Sequence, residues 1–518
     1  AEARADRRRL ARCARRSAVP ADPRCPRPRR AGPGARAHEV GATGSWTAPF
    51  RVASWPIHQV LLATGRVLWF MPSDDRSRGG RAMVWDPATR TSREITPPLV
   101  PYPDGRLRPA DLFCAGHAQL ADGRILLAGG NLAYPRGPGP GEGWKGAPWV
   151  ITFDPWTETF TRQPDMARAR WYPTVTTLPD GRALIVAGWD DSGNEVDVPE
   201  VEVFTPSPRI DGRGTLAVVT RRTTGLYPHM WVVPETTAAG APAGTQVLIA
   251  GPDPDDTAIL STSGWTWRDV PDLPTKRLWG AAVMMPGGPD GPDRVMLIGG
   301  SDTSRSPSAQ ASTIVLDLDR VSSGWAPGPP LATPRSHLNV TLLPDGGMLA
   351  VGGGAGIGPD ESGASSLRAG PVYAAERLDP GAGAWTSAGS QADERTYHST
   401  ALLLPDGRVL SAGDDRAAHM PPDQRTGEIY TPPYLLSGPR PAIGAAPDAV
   451  RYGVAFEVGV ADPASIDRAV LVRPGSVTHA NDMEQRLVRL RLERGTGRLV
   501  LSSPADPSIA LPGYHMLF

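Results

Sequence analysis

A run of strand-forming residues, a tight turn and a second apolar strand ending in small residues recurs seven times between residues 58 and 413. "PTVTTLPDGRALIVAG" (173–188), "HLNVTLLPDGGMLAVGG" (337–353) and "HSTALLLPDGRVLSAG" (398–413) show the form most plainly. Alternating apolar residues around Pro-Asp-Gly are a hairpin signature. The repeats start roughly 50–60 residues apart, a kelch-like period, and each is followed by further strand-like stretches such as "WVITFDPWTETF" and "GEIYTPPYL". One hairpin cannot bury its own apolar face, so the repeats must pack on one another. The expectation is an all-β chain: a seven-bladed kelch-type β-propeller over residues 45–437. With 58 Gly and 57 Pro among 518 residues, long helices are disfavoured in any case.

Repeats can be aligned with one another. Counting back eight residues from the turn Asp, or nine in the last repeat, gives Cys114, Tyr172, His337 and Tyr397. Three of these follow an Arg by two positions: Arg170, Arg335 and Arg395. The same Arg spacing gives Trp279 after Arg277, and "LYPHM" against "WYPTV" gives Tyr227. Innermost strands of a propeller run along its axis, so residues at their entrances converge at one end of the channel. Such a ring of Cys, Tyr, Trp and His either stoppers the channel or builds a site.

Other features exclude more than they assign. The 54 basic and 54 acidic residues balance, so nothing implies attraction to nucleic acid or to an anionic membrane. No apolar stretch is long enough for a transmembrane span. Residues 1–44 are rich in Arg, Pro and Ala, lack the apolar stretch of a readable signal peptide, and are expected to be a disordered segment. Cys13 and Cys25 lie in it, leaving Cys114 as the lone Cys of the folded part. From residue 438 to 518 alternating short strands indicate a separate β-sandwich domain.

Four stretches in order, "DLFCAGHAQLADGR", "RARWYPTVTTLPDGR", "RTYHSTALLLPDGR" and "SVTHANDMEQR", resemble the copper radical oxidases, the family of galactose oxidase and the glyoxal oxidases. The likeness spans residues 45–518, and "FCAGH" and "RWYPT" are more similar to the glyoxal oxidase branch. It implies that 438–518 is an Ig-like early-set domain that lacks a final strand. It also implies one copper ion bound by Tyr172, Tyr397, His398 and His479, with Tyr397 axial. Cys114 would be joined by a thioether to Tyr172 as a protein-derived radical cofactor, with Trp279 over its face or Trp189 in competition. The implied reaction is oxidation of a small aldehyde, alcohol or carbohydrate, with O2 reduced to hydrogen peroxide, by a secreted monomer. The alternative is a kelch-type binding module whose site is vestigial.

Overall fold

The computed structural model describes residues 43–236, 242–289, 294–302, 309–359, 365–414 and 425–518. The Arg- and Pro-rich segment, with Cys13 and Cys25, therefore lies outside the described residues apart from its last two positions. The rest is almost wholly β. Among the described residues, seven antiparallel sheets with a core of four strands follow one another in chain order. The first contains His58–Leu61, Val67–Pro72, Gly80–Asp86 and Thr91–Ile95. The last contains Ser399–Leu403, Val409–Gly413 and Thr426–Thr431, and its outer strand comes from the chain's start, where Ser45–Trp46 pairs with Tyr430 and Thr431. The two ends of the propeller segment thus share one blade. That closure fixes the ring.

Each inner hairpin is made by local chemistry. In the third sheet Gly181 adopts φ 84°, which favours glycine. Asp180 accepts from the Arg182 backbone N–H at 3.0 Å and from its Nε at 2.7 Å. Asp122 with Arg124 and Asp406 with Arg408 repeat the arrangement. Strands such as Ile125–Gly129 and Ser336–Leu342 are buried along their whole length, because blades cover both of their faces. Leu126, Ala128, Val175, Ile185 and Phe204 form one such interblade layer.

The Arg that recurs ahead of the ring residues has a structural task. Arg170, Arg335 and Arg395 are buried and reach a Glu on the third strand of their own blade: Glu202 at 2.9 Å, Glu376 at 2.5 Å and Glu428 at 3.7 Å. Other N–H groups of these side chains bond carbonyls, such as Ala187 O and Ala374 O. Arg277 has no such Glu partner and binds Gly299 O and Ser312 O instead.

Strands Ile443–Ala445, Ala455–Val460, Ala469–Val472, Leu487–Gly495, Arg498–Ser502 and Met516–Leu517 form a six-stranded antiparallel sheet. Between Val472 and Leu487 the chain leaves this sheet as a hairpin. Its first strand, Ser476–Thr478, pairs antiparallel with His58–Val60, on the inner edge of the first blade. The C-terminal domain thus sends a strap into the propeller's channel.

These buried pairs predict a contrast. Glu376→Ala strands the Arg335 charge in the interior and should cost about 3–5 kcal/mol, read as a lower urea midpoint. Asp211→Asn breaks the pair with Arg209, whose side chains are 66% and 77% exposed, and should leave the midpoint unchanged.

Candidate metal centre

The residues that open the inner strands share an unusual backbone. Cys114, Tyr172, Tyr227, Trp279, His337 and His398 all have φ between 47° and 68°, the left-handed region that non-glycine residues rarely enter. The turn carries the backbone from blade to blade. Tyr172 N–H donates to Cys114 O at 3.0 Å, Tyr227 N–H to Tyr172 O at 3.0 Å, and His337 N–H to Trp279 O at 2.7 Å. Strain of this kind persists only where surrounding contacts impose it, and it gathers at functional sites. The pattern also corrects the register of the last repeat. His398, eight residues before Asp406, carries the left-handed turn, and Tyr397 precedes it.

Four side chains meet at this end of the channel. Tyr172 Oη lies 2.7 Å from Tyr397 Oη and 2.7 Å from His479 Nε2. The His398 ring is 4.5 Å from that of His479 and 3.6 Å from that of Tyr397, centroid to centroid. Tyr172, His398 and His479 are buried, whereas Tyr397 is partly open to solvent. His479 is held in one tautomer. Thr478 Oγ1 donates to Ile57 O at 3.1 Å and so accepts the Nδ1 proton of His479 at 2.5 Å, which turns the Nε2 lone pair toward the two phenols.

This set suits a metal cation. Among the described residues no group of three or more His, Cys, Asp or Glu is arranged to hold an ion, and here the phenol oxygens of Tyr172 and Tyr397 complete the donor set. Burial, then His398, His58 and the other nearby imidazoles, holds His479 well below the usual histidine range and therefore neutral. Burial, then Cys114, Tyr397 and Tyr227, pushes the Tyr172 phenol well above its ordinary value. A phenolate there requires a nearby positive charge, and among the described residues no Lys or Arg is hydrogen-bonded to Tyr172 Oη. Two imidazoles and two phenols match the N and O preference of tetragonal Cu(II).

Comparisons with known proteins agree with this architecture. The family model "Galactose oxidase-like, Early set domain" matches residues 440–518. The chain is 26% identical over 481 residues to a galactose oxidase of Gibberella zeae, covering 88% of this chain and 65% of that protein. It is 26% identical over 457 residues to the aldehyde oxidase GLOX of Vitis pseudoreticulata, covering 79% of each. A fungal alcohol oxidase solved in complex with copper superposes with a TM-score of 0.73 at 21% identity, over 92% of this chain and 96% of that one, which shows a common fold. Together these likenesses support the copper radical oxidase family for this chain. It spans only 65% of the length of the galactose oxidases it matches.

Cys114 is fully buried, one blade before Tyr172, and its carbonyl accepts the Tyr172 N–H. The ring expected over Tyr172 is not the one found there. Trp279 stands edge-on at 6.0 Å and 88°, because its side chain turns toward His337, on which it stacks at 5.3 Å. Trp171 lies flat on Tyr172 at 3.7 Å and 8°, and Tyr227 stacks on it at 4.4 Å and 24°. Trp189 is one layer further out, stacked on Trp171 at 5.2 Å. The only sequence signal for Trp171 is its place before Tyr172 in "RWYPT". Also missed were His58 and His117, which lie 3.1 Å apart behind Cys114.

A cavity of about 300 Å³ opens beside His479, lined in part by Trp189, Tyr227, Lys276 and Trp279. Gly225, also on its wall, is tied down by Asp256, whose Oδ2 accepts from Gly225 N–H at 3.0 Å. Burial, with a smaller push from Asp253 and Asp255, raises the Asp256 carboxyl from 3.8 to about 6 despite the N–H groups of Gly225 and Asp253. Between those values the unfolded chain has lost a proton that the folded chain keeps, so stability falls as pH rises through this window. Asp256→Asn should abolish that component and stabilise the protein above pH 6, by at most about 3 kcal/mol. Urea midpoints across the window check this.

Proposed function

We propose that this protein is a copper-dependent oxidase of small aldehydes or primary alcohols that passes electrons to O2 and releases hydrogen peroxide. The observation that carries the reading is the meeting of Tyr172, Tyr397, His398 and His479, with Cys114 one blade away. Those five positions come from three blades and the C-terminal domain, and a scaffold would have no use for them together.

His398 and His479 would hold the ion through imidazole nitrogens, and Tyr172 and Tyr397 through their phenol oxygens. Bound copper supplies a one-electron redox centre beside a substrate oxygen. A two-electron oxidation then needs a second centre from the chain itself. Joining Cys114 Sγ to the Tyr172 ring removes one hydrogen from each, with two electrons and two protons passing to O2 as hydrogen peroxide. The sulfur substituent makes Tyr172 easier to oxidise. Once the linked side chain has given one electron to O2, it would accept a hydrogen atom from the substrate carbon, while Tyr397, as phenolate, would take the hydroxyl proton. The second substrate electron is the one a bound copper ion would take up, and O2 would receive both electrons with the two protons as hydrogen peroxide. Tyr397 is partly open to solvent, and its Oη lies 2.7 Å from that of the buried Tyr172. Trp171 and Tyr227, flat against Tyr172, shield the radical from water.

The preference for small substrates rests on "FCAGH" and "RWYPT". The same proposal keeps the boundaries 45–437 and 438–518 for the two folded domains, and a secreted monomeric protein. Among the described residues no helix is long and apolar enough to cross a membrane.

Metal analysis should find a single copper ion per chain, largely lost in His398→Ala and in His479→Ala. Unchanged copper in both variants would remove the ligand assignment. Tyr397→Phe should retain copper yet lose turnover by about 10²–10⁴-fold, the usual worth of a positioned base. A peroxide-coupled assay showing near-normal turnover would give the proton to another group.

A further inference from the structure

Cys114 breaks the pattern of its ring. Tyr172 and Tyr227 each donate their N–H to the ring residue of the preceding blade, but the first blade offers Cys114 no such carbonyl. Eight residues before the first blade's turn stands Pro56, whose carbonyl accepts from Thr400 Oγ1 at 2.9 Å. The Cys114 N–H goes instead to a side chain, His58 Nε2, at 3.0 Å. A backbone N–H can only donate, so Nε2 accepts and the His58 proton sits on Nδ1. That proton points at His117 Nε2, 3.1 Å away. The His117 proton is therefore also on Nδ1, and it meets Ser476 Oγ at 2.5 Å. Ser476 Oγ in turn donates to His117 O at 3.0 Å.

Every donor in this chain finds one acceptor, in a single direction. Both imidazoles are fully buried, and burial keeps both neutral, His117 down to about 3. Neither ring can swing. His58 stacks on Phe70 at 4.3 Å, and His117 stands edge-on to the same ring at 5.1 Å. Ser476 opens the strap strand that carries His479 into the channel. The relay therefore runs from Cys114 to the strap of the C-terminal domain.

We propose that His58, His117 and Ser476 are positioning residues that set the Cys114 thiol against the Tyr172 ring, so that the thioether forms only when the strap is seated. This rests on the oxidase reading. The reaction is the one balanced above: an S–H and a ring C–H are lost, an S–C bond forms, and O2 takes up both electrons and both protons. The strap that delivers His479 would thus also line up the sulfur. Linkage before the domain docks would be disfavoured.

The test follows linkage rather than turnover. Full-length protein prepared without copper is given copper and air, and peptides 114 and 172 are mapped with time under reducing conditions, with bound copper measured in parallel. Wild type should link. His58→Phe keeps the stack on Phe70 but removes the acceptor, and should bind copper yet link roughly 10–100-fold more slowly, the scale of a misplacement of about 1 Å. Ser476→Ala, at the far end, should also slow linkage, and His58→Gln, whose amide oxygen can accept from Cys114 N–H, should recover part of the rate. Leu68→Ala, buried in the same sheet outside the relay, should link at the wild-type rate although it lowers thermal stability. Wild-type linkage rates in His58→Phe, or in Ser476→Ala if the first variant fails to fold, would overturn the proposal while leaving the oxidase reading intact. Copper-bound wild type that never links would remove that reading and this proposal with it.

Discussion

Three backbone pairings hold the site together, those of Ser476, Val477 and Thr478 with Val60, Gln59 and His58. They cover the inner edge of the first blade, which would otherwise expose unpaired N–H and C=O groups to the channel. The hairpin that follows turns at His479 and Ala480, with φ of 48° and 66°, and its two strands pair through Thr478 and Asn481. A two-residue turn with both φ values positive matches the twist of its strands. Here it projects His479 at Tyr172.

The strap is fastened at several blades. Arg473, fully buried and paired with Glu484, donates to Gln119 O at 2.7 Å in the second sheet. Arg486 reaches Val232 O in the fourth, and Gln485 Nε2 reaches Val340 O in the sixth. Asp482 Oδ1 accepts from the N–H groups of Ser476, Glu484 and Gln485, and its burial raises the carboxyl to about 6. Burying so many charges is costly, and hydrophobic residues would give equal or better stability. What these groups supply is registry: the bonds to Gln119 O, Val232 O and Val340 O each tie the strap to a fixed place on a different blade. A ligand brought in from another domain needs that.

Much of this was legible in the sequence because it is local. Pro-Asp-Gly turns, the Arg two positions before the ring residue and the spacing of repeats each act within one blade, and so leave a periodic mark. The candidate ligands Tyr172, Tyr397, His398 and His479 were found through motifs, and the structure brings them together. Long-range choices left no such mark. Nothing in "HQVLL" announces that His58 will accept the N–H of Cys114, 56 residues on, or that Thr478 will bond Ile57 across 421 residues. The phase of the last repeat was misjudged by one because Tyr397 follows Arg395 as Tyr172 follows Arg170, whereas the backbone turn falls on His398. Trp171 was overlooked for a related reason. Nothing in "RWYPT" marks Trp171 as a stacking partner, whereas the left-handed turn at Tyr172 lays the two rings face to face.

One claim stands beneath the rest: a single metal ion sits where two blades and the C-terminal strap converge. Diffraction from crystals of the copper-loaded protein at the copper absorption edge tests it without any assumption about substrate. The account predicts one strong anomalous peak per chain, bounded by Tyr172, Tyr397, His398 and His479. A peak at the His58–His117 pair, or no ordered copper within the channel, would contradict it.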